Sequence, residues 1–537
     1  MLLDLNNSEL EADRRADICI VGAGVAGQTL AMRLAHTGQR VLLIESGGLE
    51  YKSHIQAMSD GDVSGEPYYD LISSRLRLFG GTAAIWGGRC AELDPIDFEK
   101  RDYVPDSGWP INKTDLQSYY DRAYDHVGID RRDGGLRQMT DKSTAAGFQS
   151  DTLELGFWQF DENGERFTNI SRGSLSNVDI LINATMTEID VSESGQVNAI
   201  TVSSLDGHKL QITAENFVLA AGAIETVRLL MAGVPHRPNG FGNANDLLGR
   251  YFMEHPHARG GEITSEKFAT SLRAFPRMRR ATGRKFAAYL RLSEAEQRRH
   301  GVLNSALSLA PRRHEGQSPE LIRTLKQKLK HDLPSTRFWR TSYKALKDLS
   351  ARAREVVDPW ASVWSVKRPG SPSGLYAVIR AEQAPNPDSR ILLSDRKDKL
   401  GLPLADLSWQ FSELDKRSVK VLMQALKDEY ERLGWGDVQL ADWLNDPAMT
   451  WKFDPLISSH PIGGYHHMGG TRMASDPSSG VVDANGRLFE SPNLYIASSS
   501  VFPTAGWANP TLTIIALAER LADHLIEKAH SNQSLQS

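Results

Sequence analysis

The chain has 537 residues, of which 40% are hydrophobic and 24% charged, a balance that excludes a disordered or fibrous protein. That length leaves room for more than one lobe, since single cores rarely grow beyond about 250–300 residues. The net charge of -5 names no partner, and two cysteines, Cys19 and Cys90, exclude a disulfide framework or a four-cysteine metal site.

The first apolar run, residues 18–21, is cut by glycine too early for an export signal, and the last, residues 512–518, stops at Glu519. No run approaches the roughly 18 apolar residues that cross a bilayer. A cytoplasmic protein without a membrane span is expected. Residues 17–21 read as a buried strand containing Cys19, 22–27 as a tight turn, 28–36 as an amphipathic helix and 41–44 as the next strand.

Within that βαβ unit Gly22, Gly24 and Gly27 form G-x-G-x-x-G around Ala26. The first glycine permits the turn, the second lets backbone approach a pyrophosphate, and the third lets helix and strand pack closely. Glu45 ends the second strand, followed by Ser46, near the offset of about 20 residues at which a carboxylate takes ribose hydroxyls. NAD and FAD share this fingerprint. No second copy follows a strand, which argues against two separate dinucleotide units.

Further along, residues 180–191 and 197–202 alternate as strands do, and 217–222 repeat the strand-and-turn pattern before a helix at 223–231. Glu254-His255-Pro256-His257 sets two histidines at strand spacing, but no further ligand lies nearby, so the segment is read as structural and no metal is expected. Residues 312–354 carry 12 Lys or Arg against 4 Asp or Glu. This basic stretch reads as the solvated faces of two helices in an insertion, or as a docking surface for an acidic substrate or redox partner. It lacks the interleaved aromatics that single-stranded nucleic acid prefers, and no nucleic-acid partner is expected. Residues 359–376 read as loop, 377–381 and 391–393 as strands, and 494–497 as a strand before a helix from Asn509. No G-x-S-x-G supports hydrolase chemistry.

Three segments are more specific: Phe79-Gly80-Gly81-Thr82-Ala83-Ala84-Ile85-Trp86-Gly87-Gly88-Arg89, Tyr465-His466-His467-Met468-Gly469-Gly470-Thr471-Arg472-Met473 and Ala508-Asn509-Pro510-Thr511-Leu512-Thr513. With the N-terminal fingerprint they resemble the glucose-methanol-choline (GMC) oxidoreductases, particularly the branch of pyranose oxidases and sugar or glycoside dehydrogenases. The resemblance is dense at both ends and across 218–230, and thin between 267 and 373. It implies an α/β fold: a discontinuous Rossmann-like FAD-binding domain (1–95, 205–260 and 455–537) and an α+β substrate-binding domain built on a β-sheet (96–204 and 261–454).

The resemblance also implies oxidation of an alcohol by hydride transfer to flavin N5, which needs a base for the hydroxyl proton. The family's histidine stands seven positions before the motif's methionine, which from Met473 reaches His466; His467 would require one deletion and remains the alternative base. Asn509 is implied as the partner holding the substrate hydroxyl, and it also fits a helix N-cap with Pro510 at the first helical position. Gly80, Gly81, Thr82, Trp86, Gly87, Gly88, Ala221, Gly222, Glu225, Pro510 and Thr511 are implied cofactor residues. Where pyranose oxidases carry the histidine that binds flavin covalently, this chain has Ile85, so non-covalent FAD is expected. The expected substrate is a sugar, glycoside or polyol, and the acceptor oxygen, a quinone or a redox protein. Steroid or aliphatic alcohol oxidation, a hydroxynitrile lyase and a non-enzymatic FAD scaffold are the alternatives.

Overall fold

The computed structural model describes residues 1–7, 13–129, 151–161, 167, 176–265, 271, 275, 279–281, 284–311, 374–447, 451–455 and 460–536. The basic stretch 312–354 and residues 359–373 of the loop read at 359–376 lie outside them, while the last two residues of that reading, Leu375 and Tyr376, open the strand Leu375–Arg380 instead. Among the described residues the strands form three sheets. The helices that matter to the site are α1 (Val25–Leu34), α2 (Ala223–Ala232), α3 (Glu413–Leu433) and α4 (Thr511–Gln536).

The first sheet runs, in parallel, through Leu2–Asp4, Val178–Ile182, Val41–Ile44, Asp13–Val21 and Lys209–Leu219, with Leu494–Ile496 beside the end of the last. A parallel sheet is covered on both faces, which is why Val41–Ile44 is apolar and buried at every position. Register then sets the site. Val21 pairs with Ile44 and Leu219, and Leu219 with Ile496. Gly22, Glu45, Ala220 and Ala497 therefore follow the strands along one carboxyl edge, where ligands of such sheets bind.

The second sheet is antiparallel, ordered Asp437–Leu440, His257–Thr264, Leu375–Arg380, Ala306–Pro311, Arg284–Leu292, Leu153–Phe160 and Arg89–Cys90. Strand alternation sorts its residues: Ala258, Leu307, Ala377 and Ile379 share a core with Val419, Leu422, Met423 and Leu426 of α3. The apolar residues of α3 recur three and four apart, the spacing of one helix face. A Ser412/Asp415 capping box starts this helix, and left-handed Gly434 ends it. His257 and Arg380 are direct cross-strand partners, so their side chains leave the sheet on the same face, away from α3.

Several expectations shift. The strands Val178–Ile182, Thr185–Val191 and Val197–Ser203 join the first sheet rather than the second lobe, and His257–Thr264 begins inside the stretch 205–260 yet belongs to the second sheet. Arg390–Lys397 pairs with Pro403–Ser408, and that strand with Gly61–Val63, in a small third sheet that packs on α2, returning from the lobe assigned to 261–454. Alternation marks a strand but not its partner, so the pairing was not legible locally. The first helix starts at Val25, inside the fingerprint, rather than at residue 28. α4 starts at Thr511, with the Pro510 carbonyl accepting from Ile514 N–H. That makes Pro510 the cap and places Asn509 before the helix, one position from the expected register. Cys19 and Cys90 are buried free thiols. Among the described residues no helix is long and apolar enough to cross a membrane.

Candidate active site

A cavity of about 580 Å³ runs along the carboxyl edge of the first sheet to the second sheet. Gly22, Gly24, Ala26, Glu45, Ser46, Gly81, Thr82, Trp86, Gly87, Ala221, Gly222, Glu225, Asn509, Pro510, Thr511, His466 and His467 line it. Gly27, Gly80 and Gly88 do not, and their part is to bring backbones together. A Cβ on Gly27 would lie 1.9 Å from the Gly22 carbonyl and one on Gly88 2.3 Å from that of Asp161. Gly80 N–H donates to Ala23 O at 3.0 Å, tying the second glycine loop to the fingerprint turn.

The cavity wall is shaped for a long anionic group. A Cβ built on Gly24, Gly87 or Gly222 meets none of the described residues within 4 Å, so these lining glycines leave space that a side chain would fill. α1, α2 and α4 all begin at the wall, and neither Gly24 nor Gly222 caps its helix with a side chain. Their first N–H groups and the positive ends of their dipoles suit phosphate. Glu45 is buried, accepting from Ala23 N–H at 3.0 Å and Gly47 N–H at 2.8 Å, and burial pushes its carboxyl up to about 7. It therefore clamps the fingerprint turn as well as facing the cavity.

Arg75 and Arg77, which carry no recognisable motif, also line this wall. Arg77 donates to Ser46 Oγ at 3.0 Å and pairs with Glu225 at 2.6 Å, while Arg228 pairs with the same carboxylate at 2.7 Å. Burial alone would raise the Glu225 carboxyl, but Arg77, Arg228 and Arg75 hold it down at about 2. The charge of Glu225 is thus spent on arginines and does not oppose an anion.

At the other end, residues 253–257 and 462–468 lie antiparallel, joined by reciprocal Met253–Met468 backbone bonds and by His257 N–H to Ile462 O. Glu254 organises the turn between them. Its carboxylate accepts from Tyr68 Oη at 2.6 Å, His255 N–H at 2.8 Å, His466 N–H at 2.9 Å and Gly464 N–H at 3.2 Å. Burial nonetheless pushes its carboxyl up to about 7. Tyr465 is left-handed at φ 60°, a conformation that costs a non-glycine residue about 1–2 kcal/mol and that these bonds hold in place.

The two histidines then part. His467 Nε2 lies 3.0 Å from Tyr68 Oη, whose proton goes to Glu254, so His467 Nε2 is the donor. His466 Nδ1 lies 2.8 Å from His255 Nδ1, and His255 Nε2 lies 2.8 Å from the Gly506 carbonyl. A carbonyl only accepts, so His255 Nε2 carries the hydrogen. Burial lowers His255 to about 4 and holds it neutral, so its Nδ1 accepts and His466 Nδ1 must donate. His466 is lowered well below its ordinary value by burial and then by His255, His257 and Arg89. Its Nε2 is consequently an uncharged lone pair, 2.9 Å from Asn509 Nδ2. The segment holding Glu254 and His255, read from sequence as structural, thus sets the tautomer of His466.

Residues 385–518 match the family model described as GMC oxidoreductase, and residues 17–240 match that of FAD dependent oxidoreductase. The chain belongs to the GMC oxidoreductases. This GMC oxidoreductase is an FAD-dependent alcohol oxidoreductase, and the glycine cradle, helix N-termini and arginines described above fit FAD. It is 22% identical to the fructose dehydrogenase large subunit of Gluconobacter japonicus, over 95% of this chain and 98% of that one. It is likewise 22% identical to the 2-methyl-1,2-propanediol dehydrogenase of Mycolicibacterium austroafricanum, over 95% of each. The crystal structure of pyridoxine 4-oxidase from Mesorbium loti shares the fold, with a TM-score of 0.56 at 18% identity over 95% of this chain and 98% of that one.

Proposed function

We propose that this GMC oxidoreductase oxidises a CH–OH group of a sugar, glycoside or polyol, with His466 as the base and Asn509 holding the reacting hydroxyl. The observation that carries the assignment is the His466 Nε2 lone pair, kept free of hydrogen by the bonds running to Gly506 and set at the cavity beside the Asn509 amide. FAD, when bound, supplies the hydride acceptor. His466 Nε2 takes the hydroxyl proton, because hydride leaves readily only from an alkoxide-like carbon. Asn509 Nδ2 donates toward the same oxygen, keeping it in line with the base. His467 is committed as a donor to Tyr68 and serves the wall rather than the proton transfer.

The substrate end of the cavity favours a polar alcohol over a steroid. The second sheet presents His257 and Arg380 there, with Arg89 and His460 close by. The relatives named for fructose and for a diol agree with that polarity. Under anaerobic conditions, sugars, glycosides and diols are expected to bleach the flavin; bleaching by steroids alone, or by no alcohol, would refute the reading. Reoxidation of the bleached enzyme by oxygen, a quinone or a redox dye then assigns the acceptor.

FAD is held without a covalent bond. Ile85, in the cavity wall immediately before Trp86, has no atom that could form one. Acid precipitation is expected to release the yellow colour into the supernatant, and colour that stays with the pellet contradicts this.

A further inference from the structure

We propose that His257 reads a second hydroxyl of the substrate, so that the enzyme selects alcohols carrying two hydroxyls over mono-alcohols. The inference deepens, and rests on, the sugar or polyol reading above.

His257 opens the strand His257–Thr264 and lines the same cavity as His466. Its side chain is only 4% exposed. Its two ring nitrogens differ. Nδ1 lies 2.6 Å from the His460 carbonyl and therefore donates to it. Nε2 is buried and, among the described residues, has no hydrogen-bond partner. Burial, and then Arg380 alongside, hold the ring neutral, so with its one hydrogen committed to His460 the ring offers a lone pair at Nε2.

A buried acceptor left empty is unfavourable, and a purely structural side chain on this face needs no such atom. The lone pair calls for a donor. A carbonyl or carboxylate of the substrate has none to give, whereas a hydroxyl does. His466 Nε2 already takes the reacting hydroxyl, so the group that His257 receives is a second one on the same molecule. Both histidines are held by backbone carbonyls, through Gly506 and His460, which makes them fixed reading points rather than adaptable ones.

Two substitutions separate the roles of the ring. His257→Asn keeps an amide N–H for the His460 carbonyl and removes the acceptor, while His257→Gln returns an acceptor oxygen near the position of Nε2. The probes are 1,2-propanediol against 1-propanol, and D-glucose and D-fructose against their monodeoxy counterparts. The measurements are anaerobic flavin reduction and the binding constant read from flavin absorbance, on holoenzyme whose FAD content is verified. His257→Asn is expected to lower kcat/KM about 10-fold for 1,2-propanediol and the parent sugars, mainly through KM, and to leave unchanged 1-propanol and the monodeoxy sugar that lacks the hydroxyl met by His257, with His257→Gln recovering much of the loss. Equal effects on diol and mono-alcohol overturn the inference, because a water held at Nε2 would then explain the ring. If both variants lose FAD, the unsubstituted enzyme decides: a preference of about 10-fold or more for 1,2-propanediol over 1-propanol, and for the parent sugar over one of its monodeoxy counterparts, supports the inference, and parity throughout overturns it. If the unsubstituted enzyme is bleached by none of these probes, the polyol reading itself has failed.

Discussion

Replacing His466 by alanine is expected to slow anaerobic flavin reduction by about 10²–10⁴-fold, the usual contribution of a positioned general base. His467→Ala is expected to cost less than about 10-fold, the scale of one lost hydrogen bond, to Tyr68. The reverse ranking would move the base to His467. The pH dependence carries a second signature. The active form of His466 is neutral, and its pKa is lowered by burial and by His255, His257 and Arg89. Activity should therefore persist as pH falls below about 6.5, the ordinary histidine value, and disappear only as pH drops through the lowered pKa. In His466→Ala that acid limb should vanish from the residual rate, whereas a limb belonging to another group would survive the substitution.

Valine at position 24 is expected to yield a folded protein that has lost its cofactor. Gly24 has φ −76°, which any residue adopts, and a Cβ there enters the cavity without touching any described residue. The added bulk falls where backbone must meet the pyrophosphate, and overpacking of about 1–3 kcal/mol corresponds to about 5–150-fold weaker FAD binding. Gly22 is the contrasting control. At φ +109°, with its would-be Cβ 2.6 Å from the Ala220 carbonyl, substitution should destabilise the fold itself. Titration of both apoproteins with FAD, alongside thermal unfolding, separates the two. A Gly24→Val protein that binds FAD as tightly as the parent would remove the cradle from the cofactor site.

These contrasts show which parts of the protein could be read from its residues. The fingerprint was legible because each glycine answers a local demand, and the strand Val41–Ile44 because every position is buried. Local patterns also placed α2 and Leu494–Ile496 to within a residue or so. The sheet memberships of 178–203 and 390–408 were not legible, since pairing is decided by strands far away in the chain. Nor was the role of His255. Its sequence neighbours mark a compact acidic-His-Pro segment, but its partner His466 lies 211 residues further on. Arg75 and Arg77 gave no signal for a related reason: two basic residues become a pair in the cavity wall only once Glu225 and the cavity are in place. Asn509 was misplaced by one helical position because its amide turns to His466 instead of capping α4.

The hydrogen-bonded line from Asn509 through His466 and His255 stops at the Gly506 carbonyl. A backbone carbonyl can accept a hydrogen bond but cannot store or pass on a proton, so the line is a cul-de-sac. If His466 is the base proposed above, the proton it takes from a substrate has no exit along this route and must return to the cavity from which it came. On that assignment turnover is ordered: the base recovers its lone pair only by giving the proton back to the cavity that also holds the product, and the next alcohol meets a competent site only after both have gone.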